Sequence, residues 1–305
     1  MEEVILPLKP MKELKAKYLR AELLPTNFCP GCSNGQVLNY TIRAIEELGI
    51  SQDNLVFVSG IGCSSRLPSY IDSDSIHTTH GRAIAFATGV KITNPELNVI
   101  VFTGDGDLAA IGLNHFLQAI RRNITLTVIC INNENYGMTG GQVSPTTPMG
   151  EFSSSTPFQN IEHSFNLAFL AKAAGAVYVA RWTAAHSMQV IAAIKKGLLK
   201  KGFSFIEVLA ACPVGKKRFK TPTDYLKYFL TETIRYSGDI TDNNTKDEAS
   251  GRVFGDLREC FTAECQGKVI VGEIVDQEKP DFHELYQELK ERAKSEYWER
   301  KEKGD

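Results

Sequence analysis

Short apolar runs rich in β-branched residues recur along the chain. Five of them are apolar on both faces, which is typical of buried parallel strands. They occupy residues 54–60, 98–106, 124–133, 176–181 and 203–210. We therefore predict that these five runs are strands of one sheet.

Amphipathic stretches lie between the predicted strands. They cover residues 81–93, 111–123, 160–176 and 183–202. In the last stretch, Val190, Ile191, Ile194 and Leu198 form an apolar stripe opposite a basic face, as on a helix packed against a sheet. Alternating strands and helices predict an α/β fold with a doubly wound, mainly parallel sheet, whose ligands bind at the carboxyl ends of the strands.

The pattern changes near residue 236. Residues 236–268 are polar and rich in turn-forming residues, and a last predicted strand at 268–276 precedes a highly charged helix. We therefore divide the chain into an α/β domain at residues 1–235 and a C-terminal extension at residues 236–305, which we expect to pack on the same domain. The final helix is interpreted as a solvated terminal helix, with a docking element for a partner chain as the alternative.

Composition and charge exclude several classes of protein. With 305 residues, 43% of them hydrophobic, the chain can bury a large core. Its formal net charge of −2 gives no basic face for nucleic acid. The longest apolar runs are too short to span a membrane, and the N-terminus lacks a signal-peptide pattern, so we expect a cytoplasmic protein. Seven cysteines, an odd number, indicate reduced thiols that bind metal or act in catalysis.

The sharpest motif begins where a predicted strand ends, at Gly104, Asp105 and Gly106. Glycines allow backbone amides to approach a diphosphate, and the N-terminus of the following helix favours its anionic oxygens. The next strand ends at Asn132 and Asn133, with 25 residues between Gly106 and Asn132. A carboxylate and an amide oxygen on adjacent strand ends are suitable Mg²⁺ ligands. Gly-Asp-Gly alone could be a simple turn, but with Asn-Asn at this interval it resembles the thiamine diphosphate motif.

A second motif is the cysteine pair Cys29 and Cys32, and no second Cys-x-x-Cys occurs in the chain. Two thiols at this spacing can form a redox dithiol, hold zinc or ligate an iron–sulfur cluster. Cys63 and Cys212 each follow an apolar run, so we expect both near one edge of the sheet. Spacing alone leaves the three uses open.

Taken together, the motifs resemble one family, the β subunits of the 2-oxoacid:ferredoxin oxidoreductases. The matching segments lie in order at residues 29–32, 61–66, 77–89, 136–148 and 211–219 around the Gly-Asp-Gly and Asn-Asn pair. The resemblance covers about residues 20–220 and implies a thiamine diphosphate domain that carries Mg²⁺ and one 4Fe–4S cluster. Zinc would use four cysteines without providing an electron path, and a dithiol would leave Cys63 and Cys212 without a role.

The resemblance assigns ligands position by position. Asp105 and Asn133 become the side-chain ligands of Mg²⁺, and Asn135 contributes its backbone carbonyl. The cluster ligands are Cys29, Cys32, Cys63 and Cys212. The residues assigned to thiamine diphosphate are Gly62, Ser64, His80, Gly81, Gly104, Asp105, Gly106, Asp107, Asn133, Tyr136, Gly137, Met138 and Thr139.

Two residues are assigned to the reacting end of the cofactor. His80 follows a strand end and is expected to approach the diphosphate or the thiazolium. Arg66 is expected to bind the substrate carboxylate, at a position where relatives often carry lysine. Gly140 stands where relatives that use pyruvate or 2-oxoglutarate often have lysine. Cys130 lies inside a predicted strand and is expected to be a core thiol.

One departure from the family is visible beside the first cysteine pair. The family often has glycine and histidine where this chain has Ser33 and Asn34. Neither position is a ligand, so the change affects hydrogen bonding around the cluster rather than its presence.

The implied activity is the CoA-dependent oxidative decarboxylation of a 2-oxoacid, with electrons passed to ferredoxin. We favour 2-oxoglutarate as the substrate, with branched-chain 2-oxoacids and pyruvate as alternatives. The resemblance places the pyrimidine-binding domain and its activating glutamate on an α subunit. Because this chain holds only one full α/β domain, we expect an obligate complex with that subunit. Some relatives add γ and δ chains.

Two functions of other classes compete with this one. A non-redox thiamine-dependent decarboxylase would keep the Gly-Asp-Gly and Asn-Asn pair but would not use four placed cysteines. A pure electron-transfer module would not use the Mg²⁺ motif.

Overall fold

The computed structural model describes residues 9–215, 221–236 and 268–303, and these residues contain an eight-stranded sheet. Its strands are β1 Leu55–Ser59, β2 Asp74–His77, β3 Asn98–Gly104, β4 Leu126–Asn132, β5 Tyr178–Thr183, β6 Phe203–Leu209, β7 Thr233–Arg235 and β8 Val269–Asp276. They are arranged in the order β2-β1-β3-β4-β6-β5-β8-β7. The strands from β2 to β5 in this order are parallel, and β8 pairs antiparallel with β5.

Helices cover both faces of the sheet. They are α1 Met11–Tyr18, α2 Asn34–Leu48, α3 Leu67–Tyr70, α4 Ala83–Thr93, α5 Leu113–Arg121, α6 Leu167–Ala174, α7 Ser187–Leu199, α8 Pro222–Thr231 and α9 Phe282–Lys303. Side chains alternate along each strand, so neighbouring residues enter different cores. Phe57 and Phe102 pack with α1, α2 and α7, whereas Val58 and Val101 pack with α4, α5 and α6. The predicted doubly wound α/β class is therefore confirmed.

The five predicted strands and the last one are all present, with ends shifted by at most two residues. The helix predicted over residues 160–176 is shorter and covers Leu167–Ala174. It begins there because the side chain of Asn166 accepts a hydrogen bond from the backbone N–H of Phe169 and caps the first turn. The preceding residues belong to a long connection that lies over the carboxyl end of the sheet.

The C-terminal extension contributes β8 and α9 to the described structure. β8 extends the parallel sheet by pairing with β5, with a register irregularity at Val179 and Ala180. The polar excursion predicted at 236–268 falls almost entirely outside the described residues, as do Cys260 and Cys265. The division at residue 235 stays a prediction.

The strand order creates a switch point between β1 and β3. From β1 the chain moves outward to β2, whereas from β3 it moves the other way to β4. Ligands of doubly wound sheets bind in the crevice at such a point. The carboxyl ends of β1, β3, β4 and β6 lie side by side, so the loops after Ser59, Gly104, Asn132 and Leu209 meet at one edge.

Candidate functional site

A cleft of about 160 Å³ opens at the carboxyl ends of β1, β3 and β4. Twelve of the thirteen residues predicted to contact thiamine diphosphate line it, and so do Cys63 and Asn135. The exception is Gly81, whose backbone N–H donates to Asp107 Oδ1 at 2.7 Å behind the cleft. Ile61 and Ile131 also line the cleft and were not predicted, although both lie next to motif residues at strand ends.

The three predicted Mg²⁺ ligands converge. One terminal atom of the Asn133 amide lies 3.3 Å from Asp105 Oδ1 and 2.7 Å from the backbone carbonyl oxygen of Asn135. If that atom is nitrogen, it donates to both oxygens, and if it is oxygen, three oxygen ligands face one point. The second arrangement is what a hard divalent cation requires, so the donor set fits Mg²⁺.

Asp105 is almost fully buried, and its second oxygen is held by hydroxyl groups. Ser144 Oγ donates to Asp105 Oδ2 at 2.6 Å, and Thr146 Oγ1 approaches the same oxygen at 2.7 Å. Burial raises the pKa of the Asp105 carboxyl, and the hydroxyls of Ser144 and Thr146 lower it in part. Sequence reasoning missed both hydroxyls, although they lie in the segment 136–148 that carries the family resemblance.

A second buried carboxylate, Asp107, holds His80 at the wall of the cleft. His80 Nδ1 lies 2.5 Å from Asp107 Oδ1. The same oxygen accepts from the backbone N–H of Ile61, and Asp107 Oδ2 accepts from Thr103 Oγ1 at 2.9 Å. With Nδ1 donating to Asp107, Nε2 of neutral His80 becomes an acceptor. Asp107 therefore orients a histidine at the cofactor cleft.

The four predicted cluster cysteines lie close enough to influence one another's ionisation. Burial, with smaller contributions from Cys212, Cys63 and Cys29, raises the pKa of Cys32 to about 11, although the backbone N–H of Asn34 lowers it in part. Burial also raises the pKa of Cys63, with Cys212 and Cys29 adding to the rise. Four thiolates would repel one another without compensating positive charge. Cys130 is fully buried in β4.

Two contacts bring the cysteine loops together. Ser33 Oγ accepts from the backbone N–H of Ala211 at 2.9 Å, which ties the Cys32 loop to the Cys212 loop. At Gly137, an added Cβ would lie 3.0 Å from Cys212 Sγ, so the cleft loop passes close to this sulfur. Cys63 therefore lines the cofactor cleft, and Cys212 lies directly behind Gly137 in its wall.

Within the described ranges 9–215, 221–236 and 268–303, no group of three or more His, Cys, Asp or Glu side chains is arranged to hold a single metal ion. The predicted Mg²⁺ set relies on an asparagine side chain and a carbonyl. This finding concerns sites for a single ion, whereas a four-iron cluster is larger than one ion.

The two positions assigned to substrate lie apart from the cleft lining. Arg66 is exposed at the end of the 3₁₀ turn Ser64–Arg66, directly after the Cys63 loop. Gly140 has φ +109°, a conformation that side-chain-bearing residues rarely adopt. Neither residue lines the cleft, and both roles stay predictions.

The connection from β4 to α6, residues 133–166, lines the cleft with its first residues and carries exposed apolar side chains further along. Phe158 is 92% exposed and Ile161 is 84% exposed. The connection is held internally by Asn160, whose side-chain nitrogen donates to the backbone oxygen of Thr147 at 2.9 Å. It is therefore an ordered segment with an exposed apolar surface.

The comparisons with known proteins agree with this arrangement. Residues 60–208 match a family model described as the thiamine pyrophosphate enzyme, C-terminal TPP binding domain. The chain is 44% identical to the 2-oxoacid:ferredoxin oxidoreductase 2, subunit beta, of Aeropyrum pernix, over 61% of this chain and 60% of that protein. It is 52% identical to the 2-oxoglutarate synthase subunit KorB of Methanocaldococcus jannaschii, over 92% of this chain and 98% of that protein.

The chain belongs to the family of 2-oxoacid:ferredoxin oxidoreductase β subunits. A solved structure of 2-oxoglutarate:ferredoxin oxidoreductase from Magnetococcus marinus, with 2-oxoglutarate, coenzyme A and succinyl-CoA bound, matches with a TM-score of 0.78. That match has 31% sequence identity and covers 92% of this chain and 90% of the other. The β subunit described here is thus one chain of a multi-subunit oxidoreductase, and the predicted family is confirmed.

The match to a TPP binding domain also confirms the prediction of thiamine diphosphate as a cofactor. No helix in the described part of the β subunit is both long enough and apolar enough to cross a membrane. The individual ligand assignments stay predictions.

Proposed function

We propose that this β subunit acts in the oxidative decarboxylation of 2-oxoglutarate to succinyl-CoA and CO₂, with electrons passed to ferredoxin. The observation that carries the proposal is the convergence of Asp105, Asn133 and Asn135 at a cleft that Cys63 lines and that Cys212 approaches at Gly137. The names of the relatives support the choice of substrate. Branched-chain 2-oxoacids and pyruvate are the alternatives.

Thiamine diphosphate, when bound, supplies a carbon nucleophile for the ketone of the 2-oxoacid and an electron sink for the loss of CO₂. In this proposal the strand ends at Gly104 and Gly106 receive the diphosphate. Asp105, Asn133 and the carbonyl of Asn135 hold the Mg²⁺ that neutralises it. His80, oriented by Asp107, provides a hydrogen-bonding nitrogen beside the cofactor.

A 4Fe–4S cluster, when bound, accepts electrons one at a time. Cys29, Cys32, Cys63 and Cys212 would hold it, because Ser33 ties the Cys32 loop to the Cys212 loop and Cys212 lies beside the cofactor loop at Gly137. An electron path beside thiamine distinguishes this proposal from zinc. The free thiols of these cysteines also support a reducing, cytoplasmic compartment.

The α subunit would complete the site. Ligand pockets usually enclose roughly 300–1,000 Å³, whereas the cleft here has about 160 Å³. A second wall from another chain accounts for the difference, and the exposed Phe158 and Ile161 lie on the connection that borders the opening. We propose that the α subunit also supplies the glutamate that activates thiamine.

The test is a substrate panel on the anaerobically purified complex of this chain with its α partner. We expect CoA-dependent reduction of ferredoxin with 2-oxoglutarate, at a kcat/KM above those for pyruvate and branched-chain 2-oxoacids. A higher kcat/KM with another 2-oxoacid would change the proposed substrate but leave the proposed class of enzyme unchanged. Release of CO₂ without reduction of any electron acceptor would replace the proposal with a non-redox decarboxylase.

A further inference from the structure

A buried charge lies in the middle of the sheet, away from the cleft lining. Glu207 is fully buried on β6, in a strand that is otherwise almost entirely apolar. Its Oε2 lies 3.2 Å from Nε of Arg181 on β5, and its Oε1 accepts from Asn132 Nδ2 at 2.7 Å. A buried ion pair gives little net stability compared with apolar residues of similar volume. The pair therefore indicates a role other than stabilising the fold.

The contact with Glu207 fixes the side-chain amide of Asn132, the last residue of β4. Because Nδ2 donates to Glu207, Oδ1 must point the other way. There it accepts from the backbone N–H of Glu134 at 3.0 Å. The orientation of one amide thus links the centre of the sheet to the loop that follows β4.

Glu134 lies between two of the proposed Mg²⁺ ligands, Asn133 and Asn135. Its φ is +58°, in the left-handed region that residues other than glycine enter only at a cost. Two contacts hold this conformation: Asn132 Oδ1 receives its N–H, and Thr147 Oγ1 donates to its carbonyl oxygen at 2.6 Å. If the loop relaxed, the side chain of Asn133 and the carbonyl of Asn135 would move relative to Asp105.

We propose that Glu207 is a positioning residue for the Mg²⁺ site. Paired with Arg181, it holds the Asn132 amide in the orientation that keeps Glu134 left-handed and its two neighbours aimed at the cation. The inference rests on the proposed Mg²⁺ site and adds a residue that does not line the cleft. It also gives Asn132, which is not itself assigned as a ligand, a role in the site.

The test measures the affinity of the αβ complex for Mg²⁺ at saturating thiamine diphosphate, by calorimetry or by Mn²⁺ electron paramagnetic resonance. In Glu207→Gln, the Arg181 guanidinium takes the amide oxygen because it has only donors. The new NH₂ group of the glutamine then faces Nδ2 of Asn132, and because both groups are donors, the Asn132 amide turns over. Nδ2 of Asn132 then faces the backbone N–H of Glu134, which is also a donor, so that hydrogen bond is lost. We expect a 10- to 100-fold weaker affinity, the range typical of groups that orient metal ligands.

A reciprocal variant separates positioning from general damage. Asn132→Asp alone places a second carboxylate next to that of Glu207, and it should also weaken Mg²⁺ binding. In the double variant Asn132→Asp with Glu207→Gln, the new carboxylate accepts from both the new amide and the Glu134 N–H. Affinity should then return to within a few-fold of wild type, and loss without recovery would overturn the proposal.

Cys130→Ala is the matched control. Cys130 is fully buried and lies directly opposite Glu207 in the β4–β6 register. It should lower the melting temperature of the metal-free complex without changing Mg²⁺ affinity. If Glu207→Gln does not assemble, Asn132→Ala removes the same contact while leaving the Glu207–Arg181 pair in place, and the same loss of affinity is expected.

The outcomes distinguish this inference from the proposed function. Unchanged Mg²⁺ affinity in Glu207→Gln or Asn132→Ala, with affinity abolished in Asp105→Ala, would overturn only the role of Glu207. Unchanged affinity in Asp105→Ala would overturn the metal site itself, and the inference with it.

Discussion

The two oxygens of Asp105 have different surroundings, and this difference defines the chemistry at the residue scale. Oδ2 is approached by the hydroxyls of Ser144 and Thr146, whereas Oδ1 faces the amide of Asn133. The hydroxyl donors occupy one oxygen, so the other, Oδ1, is the oxygen that faces the remaining predicted ligands. A monodentate carboxylate, held from behind, is the arrangement that Mg²⁺ with its strict octahedral geometry requires.

Asp105→Ala is expected to abolish Mg²⁺-dependent binding of thiamine diphosphate, because it removes the only predicted ligand that carries a charge. The cluster should be retained, since the thiols lie on other loops. Titration calorimetry with cofactor and Mg²⁺, together with iron analysis, checks both parts. Wild-type cofactor affinity in the variant would rule out this ligand assignment.

Changing Cys29, Cys32, Cys63 or Cys212 to alanine should each bleach the broad visible absorbance or convert the cluster, because a cubane cluster needs four thiolates. Cys130→Ala is the control inside the fold, since this thiol is buried in β4 among apolar side chains. Iron content and electron paramagnetic resonance of anaerobic protein provide the measurement. An unaltered spectrum in Cys212→Ala, with about four irons per chain, would contradict the ligand set.

At the scale of elements, α1 is joined to α2 by one carboxylate. Glu46 on α2 accepts from Lys17 Nζ at 2.6 Å and from Tyr18 Oη at 2.5 Å, and it also pairs with Lys9. Hydrogen bonds from Lys17, Lys9 and Tyr18 lower the pKa of Glu46 to about 2. The folded pKa lies below the ordinary value, so this contact stabilises the fold above pH 4.5 and is lost as the pH falls towards 2.

Glu46→Gln should therefore lower the free energy of unfolding near neutral pH by about 1–2 kcal/mol, a modest value because the lysines are exposed. The difference from wild type should shrink steadily as the pH is lowered below the ordinary range of glutamate. Denaturant unfolding followed by circular dichroism at several pH values checks this. A difference that stays constant down to low pH would show that Glu46 acts without its charge.

The sequence predicted the buried strands because their signal is local. The buried strands β3, β4 and β6 are continuous apolar runs, so burial on both faces was visible in the residues themselves. β2, Asp74–His77, is a largely exposed edge strand without such an apolar run, and it was not predicted from the sequence. The family resemblance located the cleft residues, since its motifs coincide with strand ends.

The parts of the site that escaped prediction depend on distant contacts. Ser144 and Thr146 reach Asp105 across about 40 residues, and Glu207 reaches Asn132 across 75. Ser144, Thr146 and Glu207 are common residue types. Each lies in a turn or a strand, where its presence in the sequence needs no functional explanation. Only the folded chain brings the two hydroxyls next to Asp105 and the buried carboxylate next to Asn132, and no spacing rule in the sequence expresses that.

At the scale of the whole enzyme, substrate choice tests the roles of Arg66 and Gly140. Arg66→Ala should lower kcat/KM for 2-oxoglutarate and for a branched-chain 2-oxoacid by a similar factor, because the near carboxylate is common to both. Gly140→Lys should shift the ratio of the two values by roughly 1–3 kcal/mol, since it adds a charge near the variable side chain. Steady-state assays of the αβ complex on both substrates provide the comparison.

Gly140→Ala is the matched control for that experiment. Gly140 has φ +109°, so any side chain there strains the loop, and alanine introduces this strain without a charge. If alanine and lysine shift the substrate ratio equally, the loop conformation rather than the charge determines the preference. If Arg66→Ala changes the ratio and Gly140→Lys does not, the two roles are reversed.

The apolar outer surface of the connection 133–166 has a consequence for how the cell makes this chain. Phe158 and Ile161 are almost fully exposed on the isolated subunit. Exposed apolar surface of this kind favours self-association and recognition by chaperones and proteases when no partner covers it. We therefore expect the chain to be poorly soluble and short-lived when it is synthesised in excess, so that balanced synthesis of the subunits becomes a condition for accumulating active enzyme.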